Sequence, residues 1–374
     1  MSYLMSQSIN LYNQLANHKL FNKTVNFDLK RIKSALIKLN SPEKKLCKVI
    51  QIIGSDGKFS VLTALKLFIE KNNQTVSTHV SPSLKDIRER FWMGKDYLTH
   101  TEIKNTIKII EKLKIPLTIY EVLTLVFIIN ASQRDNDFCI MEAGALWQLD
   151  SNNVIDFPLK QIVVNINKQH LNFLKIKTLN EVIRQKVGFL SQFTVIHIGK
   201  QKPYVMKNIK QLLKKNNSQI KHSNAWKLLK MKNNYFYKDS KTKIKLNTQY
   251  IHSKGLLENL CLAINIALDL KINKKVIIKA LPKVKYTARI DYLDKGKIIK
   301  KLNRNEKLLI DGCHSETSGK NLANYLKTIK VPIYGIWAMT KNKDPDRFIK
   351  QFKGIFKKIF TIPIENESAA LSNS

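Results

Sequence analysis

Two rhythms of apolar and polar positions run along this chain, and the switches between them outline its elements. Val49-Ile50-Gln51-Ile52-Ile53 is a short, nearly continuous apolar run of the kind that forms a buried strand. It enters a glycine-containing loop, and residues 61–72 then carry apolar positions at helical spacing. Residues 1–40 read as helical, with Leu29, Ile32, Leu36 and Leu39 on one face. The pattern predicts further strands at 75–80, 138–142, 161–166 and 193–198, and helices at 102–113, 118–131, 179–190 and 256–270. The lysine- and asparagine-rich stretch 200–250 carries the weakest pattern and predicts loops and short strands at a sheet edge. After Arg289 a second alternation begins, with strands at 308–310, 332–337 and 358–362 and helices at 316–329 and 345–352. Strands alternating with helices predict an α/β fold with a mostly parallel sheet covered on both faces. We expect two domains, 1–288 and 289–374, joined through the segment 289–306. Ligands gather at the carboxyl ends of strands in such sheets, and Ser60, Glu142 and His170 all fall at or just after predicted strand ends.

The loop Gly54-Ser55-Asp56-Gly57-Lys58-Phe59-Ser60 brings in the first chemistry. Glycines let backbone N–H groups turn towards an anion, and the following helix adds partial positive charge. Lys58 is placed to reach terminal phosphates and Ser60 to ligate Mg²⁺. The spacing G-x-x-G-K-x-S is shorter than the usual phosphate loop, and such a loop by itself also arises as a turn, with Ser60 as a helix cap. Its flanking strand and helix favour the nucleotide reading.

Composition narrows the class. With 374 residues, 44% of them hydrophobic, the chain can bury ordinary cores. It has no apolar run near the roughly 20 residues that span a bilayer. Residues 1–17 are polar and lack the apolar core of a signal peptide, so a cytoplasmic protein is expected. The four cysteines are dispersed, which argues for reduced thiols rather than a zinc or disulfide framework. The net charge of +37 is carried by lysines spread along the whole chain, together with abundant Asn and Ile. That pattern fits A/T-rich codon bias first and an anionic small substrate second. Nucleic acid comes third, because such binders concentrate their charge and interleave aromatics.

The landmarks taken in order resemble the folylpolyglutamate synthase/dihydrofolate synthase family, which is Mur-ligase-like. Gly54–Ser60 resembles the family loop G-T-N-G-K-G-S, Ser81-Pro82-Ser83-Leu84 resembles S-P-H-L, and Glu89-Arg90 falls where N-E-R is expected. Tyr120-Glu121-Val122-Leu123-Thr124 resembles F-E-x-L-T, and Glu142-Ala143-Gly144 with Leu149–Asn153 brackets a segment like E-x-G-L-G-G-R-L-D-A-T-N. Asn165-Ile166 and His170 sit like N-I-x-x-D-H, and Gln185–Gly188 like E-K-A-G. Further on, Glu258-Asn259, Tyr286–Arg289 and Asp311–Ser315 resemble E-N, W-P-G-R and D-G-A-H-N. The chain departs from the pattern at Asp56, Phe59, Ser83, Ala145–Gln148, Gln169, Gly255-Leu256 and Ser315-Glu316. It is also expected to stop before the family's last strands and helix.

The resemblance implies a phosphate-loop ATPase domain followed by a smaller, shortened Rossmann-like domain. It implies an ATP-dependent ligase that adds L-glutamate to folate or dihydropteroate through an acyl phosphate. On that pattern Lys58, Lys186 and Arg289 are catalytic, and ATP meets Gly54–Ser60, Asn259, Arg289, Asp311 and His314. Mg²⁺, with a second divalent or monovalent cation, meets Ser60, Glu142 and His170. An unpaired acid ending an apolar strand is costly to bury, which independently favours a cationic partner for Glu142. The family lysine at 186 is carbamylated, whereas by itself this lysine reads as a surface residue. Ser81, Pro82, Tyr120, Glu121 and Asp150, with Thr124, are expected on the folate side. The protein is expected to act as a monomer without membrane or nucleic acid. Two alternatives stay open: a Mur-type ligase for another carboxylate, and a non-catalytic homologue that binds anionic ligands or nucleic acid.

Overall fold

Seven strands form the central sheet, and their order explains where the loops meet. The computed structural model describes residues 3–22, 27–169, 171, 176–364 and 370–371. Helices α1 (Tyr3–Ala16) and α2 (Leu29–Lys38) precede strand β1 (Val49–Ile53), helix α3 (Lys58–Lys71) and strand β2 (Val76–His79). Then come β3 (Phe91–Met93), α4 (His100–Glu111), α5 (Ile119–Ala131), β4 (Phe138–Glu142), β5 (Lys160–Val163), α6 (Leu179–Val187), β6 (Val195–Ile198), α7 (Pro203–Leu212) and β7 (Gln219–Lys221). The sheet order is β3-β2-β4-β1-β5-β6-β7, parallel throughout except for β3 against β2. The central strand β1 is buried along its whole length, as a strand covered on both faces must be.

Alternate side chains of β1 feed different cores, because successive residues point to opposite faces. Ile50 and Ile52 join the core that includes α3, while Val49 and Ile53 join two separate clusters on the other face. Gln51 sits among these apolar residues and is satisfied within the sheet. Its Nε2 donates to Asn152 O (2.8 Å), and its Oε1 accepts from Gln161 Nε2 (2.8 Å). Capping boxes start α4 at Thr99, α5 at Thr118 and α6 at Thr178, each with a glutamate at the third helical position. No described helix is long and apolar enough to cross a membrane.

The stretch 200–250 differs from expectation. Its edge strand β7 is where the weak pattern suggested, but α7 precedes it. Three further strands, β8 (Trp226–Met231), β9 (Asn234–Asp239) and β10 (Lys243–Lys245), form an antiparallel sheet of their own. Trp226, Tyr237 and Ile244 are the buried members, and they join the core of α3 and of α8 (Lys254–Asp269). Lysines on the opposite face hid this short alternation. Helix α9 (Lys274–Ala280) follows.

The expected link 289–306 contains strand β11 (Asp291–Leu293), paired antiparallel with β12 (Leu308–Ile310). Helix α10 (Glu316–Leu326), β13 (Tyr334–Trp337), α11 (Pro345–Ile349) and β14 (Lys358–Thr361) complete the chain, with β13 and β14 parallel. Among the described residues the C-terminal strands thus form two pairs rather than one sheet. Leu322, Ala323, Leu326, Phe348 and Phe352 pack into the same core as α3 and α8. Among the described residues of the first 40, two helices form, and 17–22 between them are not helical.

Candidate active site

The carboxyl ends of β1, β4 and β5 open on one cavity of about 1090 Å³, and residues from α8, from Thr287–Arg289 and from Asp311–His314 close it. Gly54 (φ 146°) and Gly57 (φ 98°) shape the loop after β1. A Cβ on Gly57 would fall 2.6 Å from Asn259 Nδ2, so glycine is what allows α8 to close on the loop. Helix α3 starts without a side-chain cap, which leaves its first N–H groups available at the cavity. Lys58 begins this helix and Ser60 is its third residue, so Ser60 is not the N-cap. The Lys58 ammonium folds back on its own loop, donating to Gly54 O (3.2 Å) and Ser55 O (3.4 Å). Phe59 lines the cavity while packing partly against the core behind it.

Glu142 ends β4 and is only 3% exposed. Its Oε2 accepts from Ser81 N–H (3.3 Å). Burial pushes its pKa up, while Lys58, Arg289 and Arg90 pull it down. Asp150 is pushed up to about 6, by burial first, although Gly144 N–H, Asn152 N–H and Asn152 Nδ2 all donate to it. The Tyr120 hydroxyl accepts from Asn152 Nδ2 (2.9 Å) and stands against Gly144. Asn152 is held in turn by His79, whose ring stacks near Phe91 and Phe127 and whose pKa burial lowers to about 3. The Ser81–Pro82 peptide bond is cis, and both residues line the cavity.

Lys186 is the largest correction to a residue-by-residue reading. It is 1% exposed, not a surface lysine. Its ammonium lies beneath the phosphate loop, donating to Gly54 O (3.0 Å) and to Ala145 O. Burial and the nearby Lys58 lower its pKa to about 7. The segment 145–148, which departs from the family pattern, is anchored to the core through Leu146 and Trp147. Trp147 is fully buried and donates to Phe189 O (3.1 Å), and Gln148 Oε1 accepts from Gln185 Nε2 (2.8 Å).

From the far wall, Arg289 reaches the cavity out of a strained turn in which Ala288 (φ 54°) and Ile290 (φ 50°) both have positive φ. Asp311 holds that turn, accepting from Ile290 N–H and Cys313 N–H, both at 2.7 Å. Asp311 therefore positions Arg289. His314 and Asn259 line the same space.

Two expectations change. Glu121 faces the cavity, but Thr118 N–H and the Arg31 guanidinium occupy its oxygens. Thr124 is fully buried, bonded to Tyr120 O and Ser151 Oγ, away from the cavity. His170 lies outside the described residues. No group of three or more His, Cys, Asp or Glu side chains converges as a metal site among the described residues. Two residues to which the sequence assigned no role also line the cavity. Arg90 is buried, bonded through Nε to Tyr12 OH (2.9 Å), and its Nη1 has no partner among the described residues. Lys343 enters from the turn before α11 and faces Lys58. Arg90 was marked by its N-E-R-like position, though without a role, whereas nothing distinguished Lys343 among so many lysines.

Comparison with known proteins agrees with this geometry. A dihydrofolate synthetase of Saccharomyces cerevisiae is 24% identical over 347 residues, covering 86% of this chain and 77% of the yeast protein. This chain is a homologue of the dihydrofolate and folylpolyglutamate synthases. The folylpolyglutamate synthase of Mycobacterium tuberculosis, solved with ADP and AMPPCP, superposes with a TM-score of 0.85 at 17% identity, covering 98% of this chain and 84% of that one. The bifunctional folylpolyglutamate/dihydrofolate synthase of Yersinia pestis, solved with AMPPNP and Mn, gives 0.82 at 18% identity, covering 100% and 86%. No family model matches the chain. The fold expected from the motifs is therefore the fold observed, and the motif residues of both halves meet at one cavity.

Proposed function

We propose that this protein is an ATP-dependent amide ligase that adds L-glutamate to a pteroyl carboxylate, either dihydropteroate or a folate. The observation that carries the reading is the convergence of Lys58, Ser60, Glu142 and Arg289 on one cavity, with Lys186 directly beneath its phosphate loop. In this reading 1–288 binds nucleotide and 289–374 closes over it.

A carboxylate is a poor electrophile. Transfer of the ATP γ-phosphoryl group makes it an acyl phosphate, and the glutamate amine then forms the amide as phosphate leaves. The protein's work is positioning and charge neutralisation. The uncapped N–H groups at the start of α3 and the Lys58 ammonium bind the phosphates. Arg289, always charged and forked, neutralises the transferring group from the opposite wall. Glu142 and Ser60 fit a divalent ion, since Mg²⁺ takes one or two protein ligands and completes its shell with phosphates and water. That ion supplies charge neutralisation at the phosphates. Lys186, with its pKa near neutrality, keeps a large fraction of reactive free amine, which supports carbamylation. Carbamylation would replace the ammonium that now donates to Gly54 O and Ala145 O with an anion, whose charge a bound cation would offset.

The wall made by Tyr120 and Asp150, braced from behind by Asn152, suits a flat polar ring, and Arg90 offers there an Nη1 that has no partner among the described residues to an anionic or carbonyl oxygen. Arg90→Ala is expected to raise KM for the pteroyl substrate by ten-fold or more and to leave KM for ATP nearly unchanged. Steady-state kinetics with each substrate varied would check this. The reading itself is tested by phosphate release with ATP, Mg²⁺, glutamate and either dihydropteroate or tetrahydrofolate. Release should depend on the pterin, and equal release without it would refute the substrate.

A further inference from the structure

Asp56 places a carboxylate inside the phosphate loop, and three donors from two distant stretches of chain converge on it. Asn167 Nδ2 and Ser315 Oγ (3.0 Å) donate to Oδ2, and Gln169 Nε2 donates to Oδ1 (3.1 Å). Asn167 and Gln169 follow β5, whereas Ser315 is the N-cap of α10, 259 residues downstream. Each partner presents a hydrogen, and an ionised carboxylate is acceptor-only, so the set matches an acid better than an amide. Ser315 also accepts from Ser318 N–H (3.1 Å), which makes its hydroxyl a bridge from the helix to the loop. A negative charge beside bound phosphates repels them, so nucleotide affinity alone gives no reason for an acid here.

We propose that Asp56 is a positioning residue whose carboxylate ties the phosphate loop to the N-terminus of α10, holding Lys58 and the Arg289–His314 wall in register across the cavity. The proposal rests on the ligase reading for its kinetic consequence, but not for the bonding itself.

The test uses the full chain as wild type, D56N, Q169D and D56N/Q169D. MgATP affinity is read by calorimetry, kcat and KM by pterin-dependent phosphate release, and Tm by thermal unfolding. An amide at 56 offers one acceptor and one donor, so D56N loses charge assistance and faces another amide. We expect D56N to bind MgATP as tightly as wild type or more tightly, while kcat falls at least ten-fold. Q169D sets two carboxylates against each other and loses kcat as much or more. The double variant restores an acid–amide pair and returns kcat to within about three-fold of wild type, with Tm recovering in parallel. A mere loop stabiliser would instead raise KM and lower Tm without splitting KM from kcat. An unchanged kcat in D56N, or a double variant no better than the worse single one, overturns the proposal. If one single variant does not fold, recovery of folding and turnover in the double variant still decides it. Wild type that releases no phosphate would sink the ligase reading, while the Tm cycle would still judge the pairing.

Discussion

Lys58→Ala is expected to reduce pterin-dependent phosphate release by about 10³-fold, roughly 4 kcal/mol of transition-state stabilisation. Lys58 is a cation on the loop side of the cavity that points back over the loop carbonyls, and its helix presents the backbone donors beside it. Removing it leaves the N–H groups of α3 to hold the phosphates without a formal charge. The fold should tolerate the change, because Lys58 bonds only to carbonyls of its own turn and makes no ion pair among those identified. Tm within about 3 °C of wild type, with turnover lost, would fit this account. Turnover within ten-fold of wild type would remove Lys58 from the chemistry and weaken the nucleotide reading with it. Lys58→Arg should recover little, since a bulky planar fork does not fit the turn that the ammonium occupies.

Much of this site was legible because its central part is local. Strand, glycine loop and helix follow one another within residues 49–71, so apolar spacing placed the loop that carries Lys58 and Ser60 between strand and helix, although the helix begins at Lys58 rather than at Val61. Glu142 was legible for a different reason: an acid closing an apolar strand costs free energy wherever the strand goes. Lys186 was legible only through the family resemblance. Nothing local distinguishes a lysine under a loop 132 residues away from one in solvent.

The departures from the family pattern show the limit more sharply. Asp56 and Gln169 each stand in the sequence only as a departure from the pattern. In the structure they are partners across 113 residues of sequence, an acid and an amide bonded to each other. The segment Ala145–Gln148 likewise looked like missing glycines and arginine, yet Trp147 and Gln148 anchor α6 and with it Lys186. Compensation of this kind argues against decay, and only three-dimensional proximity reveals it. The antiparallel sheet β8–β10 was missed because lysines occupy its outer positions and leave few apolar residues to mark each strand.

Glu142→Gln separates function from stability most clearly. Burial raises the Glu142 pKa despite three nearby cations, so the ionised group is a net cost to the folded state. The sign follows from linkage: with the folded pKa above the unfolded one, its contribution is fully present below the ordinary glutamate range and is lost as pH rises through the raised value. Glutamine keeps the shape and an acceptor for Ser81 N–H but carries no charge to desolvate. Tm at pH 7 should therefore stay level or rise, and stability should decline less from pH 5 to 8 than in wild type. Turnover should fall by at least 10²-fold, because the acid that fits the divalent ion is gone. The same substitution should abolish the extra Tm increment that Mg²⁺ gives beyond nucleotide alone, an effect of mass action on the folded state. A stabilised but inactive variant without a Mg²⁺ response identifies Glu142 as kept for chemistry at the expense of stability. An active one would place the ion elsewhere, and a destabilised one would make the carboxylate a structural anchor of the Ser81 turn.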